Sequence, residues 1–518
     1  MEAAGALHDN RLDVAERILK PYLKEDPFDV KAIRMLAELA ARIGRWRDAE
    51  NLLGRAVELA PGWTSAKANL ALVLGRTGRP AEAMALLDDI LTDEPDWVGH
   101  WNLKAATLGR LGDFEQGIAL YEDVLKRTPD QPRVWLSYGH MLKTIGRLED
   151  GIAAYRRAIA LRPVLGEAWW SLANLKTVRF DDEDLAAMRN ALHSEGLSDA
   201  DRFHLDFALG KALNDAGRPD EAFAHYAEGN ALRLKLAPYD RSRIAAIVDR
   251  CVESFTTETF AIRQGGFEAP DPIFILGMPR AGSTLVEQIL SSHSQVEGTS
   301  ELPDMPAVAR QGRRYPAEAV TLGPDERRLA GETYLKRAAV QRRTDRPYFV
   351  DKLPNNWMFV PFIHFILPNA KIIDARRHPL GCCMSNYRQH FARGQDFTYD
   401  LEDLGHYYAD YVRLMAHVNS LLPSRVHRVT YERMVDDTES EVRALLEYCG
   451  LDFEPSCLAF YETERAVRTP SSEQVRQPIY RAATDEWQRY DRHLDRLKGA
   501  LGEVLDAYPD APASFLQR

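Results

Sequence analysis

Through the first 240 residues apolar positions recur at spacings of three and four, the pattern of helices that bury one face. Near residue 270 the pattern changes. Short runs that are apolar almost throughout, Pro272-Ile-Phe-Ile-Leu276, Tyr348-Phe-Val350, Lys371-Ile-Ile-Asp374 and Val426-His-Arg-Val429, then alternate with helical stretches. Runs of this kind predict parallel strands covered by helices. Residues 242–264 read as a helix joining the two regions. The expected organisation is a helical region over 1–240, a helical linker over 241–268 and a parallel α/β domain over 269–518.

The helical region carries a ruler. Pro27, Pro61, Pro95, Pro129 and Pro163 stand 34 residues apart, and a glycine precedes each of the last four by 17 residues (Gly44, Gly78, Gly112, Gly146). Small residues keep the same period (Ala49, Ala83, Gly117, Gly151), as do Trp101, Trp135 and Trp169. Each unit therefore reads as helix, glycine turn, helix, proline stop. Gly217, Ala222 and Tyr226 repeat the offsets after a degenerate stretch around 180–198, which extends the array to about residue 240. At the other end the first helix of the opening repeat has to fit into residues 1–8. This period resembles the tetratricopeptide repeat, whose helical hairpins stack into a superhelix with a concave groove. The resemblance implies a protein or peptide partner in that groove; self-association or a spacer role stays open.

Charge narrows the field. Against 77 Asp and Glu stand 66 Lys and Arg, giving −11 and an acidic pI near 5.8, which lacks the basic field of a general nucleic-acid binder. The nearest approach to a membrane-spanning run, 359–367, is short and contains His364, so no membrane span is expected. The first ten residues show no signal-peptide pattern, and a cytoplasmic location is expected. Five cysteines, an odd number without zinc spacing, predict no metal site and no disulfide framework.

The chemistry begins after the first apolar run. Gly277-Met-Pro-Arg-Ala-Gly282-Ser-Thr284 has the spacing of a phosphate-binding loop between a strand and a helix, with Ser283 where such loops carry lysine. Arg280 is the substitute cation within the loop. One reading is a P-loop kinase or ATPase with Asp351 or Asp374 as a magnesium carboxylate; the absent lysine counts against it. Another is a repeat scaffold with an inactive α/β domain.

Pro279-Arg-Ala-Gly-Ser-Thr-Leu285 resembles the 5′-phosphosulfate loop of sulfotransferases, and residues from about 270 to 490 are similar to protein-tyrosine sulfotransferases and their bacterial relatives. The resemblance implies 3′-phosphoadenosine 5′-phosphosulfate (PAPS) as donor and 3′-phosphoadenosine 5′-phosphate (PAP) as product, without a metal. It implies that Arg280, Ala281, Gly282, Ser283 and Thr284 cradle the 5′ end, with Arg377 and Ser385 on the 3′-phosphate and Tyr431 near the nucleotide. Glu301 would be the general base, while Lys352 and Ser471 would meet the leaving oxygen beside Arg280. The acceptor is then a hydroxyl on a protein, peptide or glycan, tyrosine included, recruited by the repeats.

Departures from the family pattern stand out. The lysine expected before Trp487 is Glu486, with Arg476 or Arg481 as replacements, and the arginines that hold acidic peptides fall at Pro303 and Ala307. His293, His364, His378 and His390 are scattered and read as core or surface residues rather than as a histidine base.

Overall fold

A computed structural model describes residues 2–8, 11–261, 265–391, 394–463, 474–479 and 484–516. The chain forms two compact units, Met1–Ala168 and Trp169–Arg518. The division falls inside the helical region, well before residue 240.

The first unit is a series of helical hairpins. The second helix of each ends two residues before its ruler proline: Leu12–Glu25, Trp46–Leu59, Pro80–Asp93, Phe114–Arg127 and Leu148–Leu161. Proline has no N–H to continue the ladder, so the stop follows from the ring. The turn glycines Gly44, Gly78, Gly112 and Gly146 all have φ between 78° and 87°, a conformation that disfavours side chains with a Cβ. Trp101 and Trp135 donate their indole N–H to the carbonyls of Pro95 and Pro129, at 2.5 and 2.7 Å. The core is serial: Ala37, Ala40, Ala49 and Leu53 form one buried cluster, and Ala71, Leu74, Ala83 and Leu87 form the next. Each member of the second is 34 residues on from one of the first, so burial repeats with the sequence.

The second unit contains the helices Asp182–Leu192, Asp199–Asp215 and Pro219–Leu236 together with a five-stranded parallel sheet. The strands are β1 (Pro272–Gly277), β2 (Val296–Ser300), β3 (Tyr348–Lys352), β4 (Lys371–Arg376) and β5 (Val426–Thr430), in the order β2-β3-β1-β4-β5. Every residue of β1 is buried, as a central parallel strand requires. Ile273 and Ile275 pack with Val286, Ile289 and Leu290 of the helix that follows the loop. The segment read as a linker is part of this unit: in helix Ser242–Ser254 Asp249 pairs with Arg413 at 2.8 Å, and the Phe255 carbonyl beyond its end lies 2.7 Å from His417 Nε2. All five cysteines are buried and unbridged. Among the described residues no helix is long and apolar enough to cross a membrane, and no cluster of three His, Cys, Asp or Glu could hold a metal.

Candidate active site

Parallel strands leave their carboxyl ends on one edge, where loops and helix N-termini converge. That edge gathers the sequence candidates: Gly277–Thr284 after β1, Glu301 after β2, Lys352 ending β3, Arg377 after β4 and Tyr431 after β5. The loop is shaped by backbone constraint. Gly277 has φ +130°, and a Cβ there would lie 2.3 Å from the Ala375 carbonyl of β4. Gly282, at φ +98°, caps helix Ser283–Ser291 and lets Tyr431 come close; a Cβ would lie 2.8 Å from its ring. Arg280 holds φ +66° without being glycine, a conformation that costs about 1 kcal/mol or more and needs local support.

That support is visible. Arg280 Nε donates to Ser385 Oγ at 3.2 Å and Nη2 to Gln474 Oε1 at 3.1 Å, while its carbonyl accepts from Arg377 Nη1 at 3.2 Å. The Arg377 guanidinium lies 4.8 Å over the Tyr431 ring. Arg280, Gly282, Ser283, Thr284, Arg377, Ser385 and Tyr431 line one cavity of about 490 Å³, a volume suited to a nucleotide-sized ligand. Ala281 is not in the lining; it is buried and its N–H closes a turn on the Met278 carbonyl at 3.3 Å.

Glu301 and Lys352 form a second feature on the β2/β3 side. Lys352 Nζ meets Glu301 Oε1 at 2.5 Å; the lysine is buried and the glutamate half exposed. Neither lines the cavity. Ser471 and Arg481 lie outside the described residues. Arg476 shares a short turn with Gln474 but is not in the cavity lining, so a cation in place of the expected lysine comes from elsewhere.

Glu486 explains where. It accepts from both Nη atoms of Arg388, at 2.6 and 2.8 Å, and from Asn214 Nδ2 at 3.0 Å. Burial works to raise its carboxyl, but the Arg388 charge and hydrogen bonds carry it down to about 2. Sequence reasoning missed Arg388, Gln474 and three further cations of the lining, Lys176, Arg179 and Lys211. Among the described residues the lining holds seven cationic side chains against the carboxylates of Asp215 and Glu486, an excess that suits a polyanion.

The carboxylates of the kinase reading are engaged elsewhere. Asp374 pairs with buried Arg376 at 2.8 Å and accepts from Tyr411. Asp351 is buried and accepts from Tyr334 at 2.8 Å; burial pushes its carboxyl up to about 8. Neither lines the cavity, and nor do the four histidines singled out above. Burial lowers His364 to about 3 and His390 to about 2, while His378 stacks on Trp487 at 5.2 Å.

A glycine-bounded loop on the first strand of a parallel sheet, opening into a cationic cavity, defines an α/β domain of the kind that handles phosphate-bearing ligands. Residues 272–455 match the profile of the sulfotransferase family, and residues 6–70, 44–107 and 103–166 match tetratricopeptide repeats. The chain thus carries stretches that match tetratricopeptide repeats followed by a stretch that matches the sulfotransferase family. It is 35% identical over 346 residues to an uncharacterized protein of Aquifex aeolicus (strain VF5), a match covering 64% of this chain and 45% of that one. It is 27% identical over 125 residues to the nodulation protein NoeE of Sinorhizobium fredii (strain NBRC 101917 / NGR234), covering 22% of this chain and 30% of that one. The chain therefore spans less than half the length of either relative. Among solved structures, the sulfotransferase domain of the Synechococcus PCC 7002 olefin synthase aligns at 22% identity and a TM-score of 0.34, over 43% of this chain and 90% of that one.

Proposed function

We propose that the protein transfers a sulfuryl group from PAPS to an acceptor hydroxyl, with tyrosine of a protein or peptide among the acceptors. The observation that carries this reading is the cavity at the carboxyl edge of the sheet, where Arg280, Ser283, Thr284, Arg377 and Ser385 converge beside the helix N-terminus. The excess of cationic side chains in that cavity suits a ligand that carries two phosphate-like groups on one nucleotide.

The acceptor oxygen attacks sulfur in line, its proton passes to the Glu301 carboxylate, and the bond from sulfur to the 5′-phosphate oxygen breaks. The charge left on that oxygen is met by Arg280, Lys352 and the amides opening helix Ser283–Ser291. The Glu301–Lys352 pair couples the two ends of the step: once Glu301 is protonated the lysine loses its counter-charge and turns toward the leaving oxygen. The repeats of the first unit hold the acceptor or a partner protein, and the setting is cytoplasmic.

Calorimetric titration with PAP and with ATP, beside an Arg377→Ala control, tests the reading. Binding of the bisphosphate that is lost in the control and not matched by ATP supports it. A preference for ATP overturns it in favour of a nucleotide-dependent kinase or ATPase.

A further inference from the structure

Three of the cavity's cations come from outside the sheet and its loops. Lys176 and Arg179 lie between helices Gly166–Ala173 and Asp182–Leu192, and Lys211 lies in helix Asp199–Asp215, four residues before its end. Their position is fixed by buried polar contacts within the second unit. Asn214 bridges Glu486 and the Tyr490 hydroxyl, the latter at 2.5 Å, and Asn230 Nδ2 donates to the Tyr387 carbonyl at 2.9 Å. Gln389 Nε2 donates to Asn174 Oδ1 at 3.1 Å, and Phe223 stacks on His493 at 4.3 Å. Breaking either of the buried bonds, Asn214 to Tyr490 or Asn230 to Tyr387, strands a polar group away from water, which holds this wall in place.

The wall is tied to the loop itself. Lys176 holds φ +66° and places Nζ 3.3 Å from Gln474 Oε1, the same oxygen that accepts from Arg280 Nη2. Two non-glycine residues in the left-handed region, one in the helical segment and one in the phosphate loop, thus converge on one acceptor. Asp215 lies between Lys211 and Arg179, 3.2 Å from the latter, so a single carboxylate faces two cations.

Topology says which end of a ligand these cations meet. Glu301 follows β2 and Lys352 ends β3, to one side of β1, and neither lines the cavity. Ser385 and Gln389, which share the cavity with the helical cations, follow β4 on the other side of β1.

We infer that Lys176 and Lys211, with Arg179, complete the donor site by holding the phosphate monoester on its ribose, the end remote from the transferred group. The inference rests on the donor reading above and makes residues 169–236 part of the catalytic unit instead of a detachable recruiting arm. The three are positioning residues, reaching the reaction through the seating of the donor.

The test is calorimetric titration of the full chain and of its Lys176→Gln and Lys211→Gln variants with PAP and with adenosine 5′-monophosphate, which lacks the ribose phosphate. Glutamine keeps most of the side-chain stem and its packing. Each variant is expected to lose about tenfold in bisphosphate affinity while monophosphate affinity stays within about twofold. Retained monophosphate binding also shows that the loop is folded. Variants that bind the bisphosphate like the parent, or lose both ligands equally, overturn the inference while leaving the donor reading standing. A parent chain that binds no bisphosphate overturns both.

Discussion

Helix Trp46–Leu59 in the first unit buries Ala49, Leu53 and Ala56, one residue in three or four. Helix Asp199–Asp215 in the second unit buries every residue from Phe203 to Asn214 except His204 and Lys211. A helix covered on one side needs one apolar stripe, whereas one covered on several sides loses its polar face. The partners differ as well. The first helix meets neighbours of its own repeat type, but the second sends Asn214 to Glu486 and Tyr490, more than 270 positions along the chain. A repeat that closes only on its neighbours can be a surface for partners; a repeat that closes on an α/β domain can become part of a site.

The largest contrast is expected in turnover. Glu301→Gln should lower the rate of bisphosphate release by about 10²- to 10⁴-fold, the range for loss of a general base, with bisphosphate affinity unchanged within about twofold. Trp97→Ala, at an exposed position in the first unit, should leave that affinity unchanged. Loss of bisphosphate binding in Glu301→Gln would place the glutamate in the donor site and blur the distinction between its two sides.

Truncation sharpens the comparison next. A chain beginning at residue 169 should bind the bisphosphate within about threefold of the full chain. One beginning at residue 241 loses Asn214 and Asn230, which bond Glu486, Tyr490 and Tyr387, and should lose at least about a hundredfold or fail to unfold cooperatively. Equal affinities for the two would break the account of residues 169–236.

Glycine substitutions compare the two units on one scale. Gly277→Ala places a Cβ against the Ala375 carbonyl and should cost about 2–4 kcal/mol in urea unfolding. Gly44→Ala keeps the same sense of backbone strain with nothing within 4 Å, and about 1 kcal/mol is expected.

A further contrast is with pH. Burial raises the Asp351 carboxyl from its ordinary 3.8 to about 8, so between those values the folded chain binds a proton that the unfolded chain releases. Stability from this group is therefore full below about pH 4 and is lost as pH rises toward 8, with a slope of up to about 1.4 kcal/mol per pH unit. Asp351→Asn should flatten that slope in thermal melts taken from pH 5 to 8.

Much of this was legible in the sequence because it is local or periodic. The proline ruler marked the helix ends, the turn glycines took the positive φ their spacing implied, and the loop lies between strand and helix where its motif placed it. Arg377 and Ser385, eight positions apart, reach the same cavity because a strand end and the helix after it fix their relative position. Lys176 and Lys211 were hidden for the opposite reason. They flank the stretch around 180–198 where the 34-residue period fades, and only the cavity they share with residues hundreds of positions away gives them a role. Glu486 read as a missing cation; in the fold it holds Arg388 against Asn214, a substitution that spacing cannot report.

The most direct measurement is amide hydrogen exchange of the full chain with and without PAP. The account predicts slowed exchange over 277–284 and 377–389 together with 174–179 and 209–215. Slowing confined to the first two segments, or absent from all four, would contradict a donor site built jointly by the phosphate loop and the last repeats.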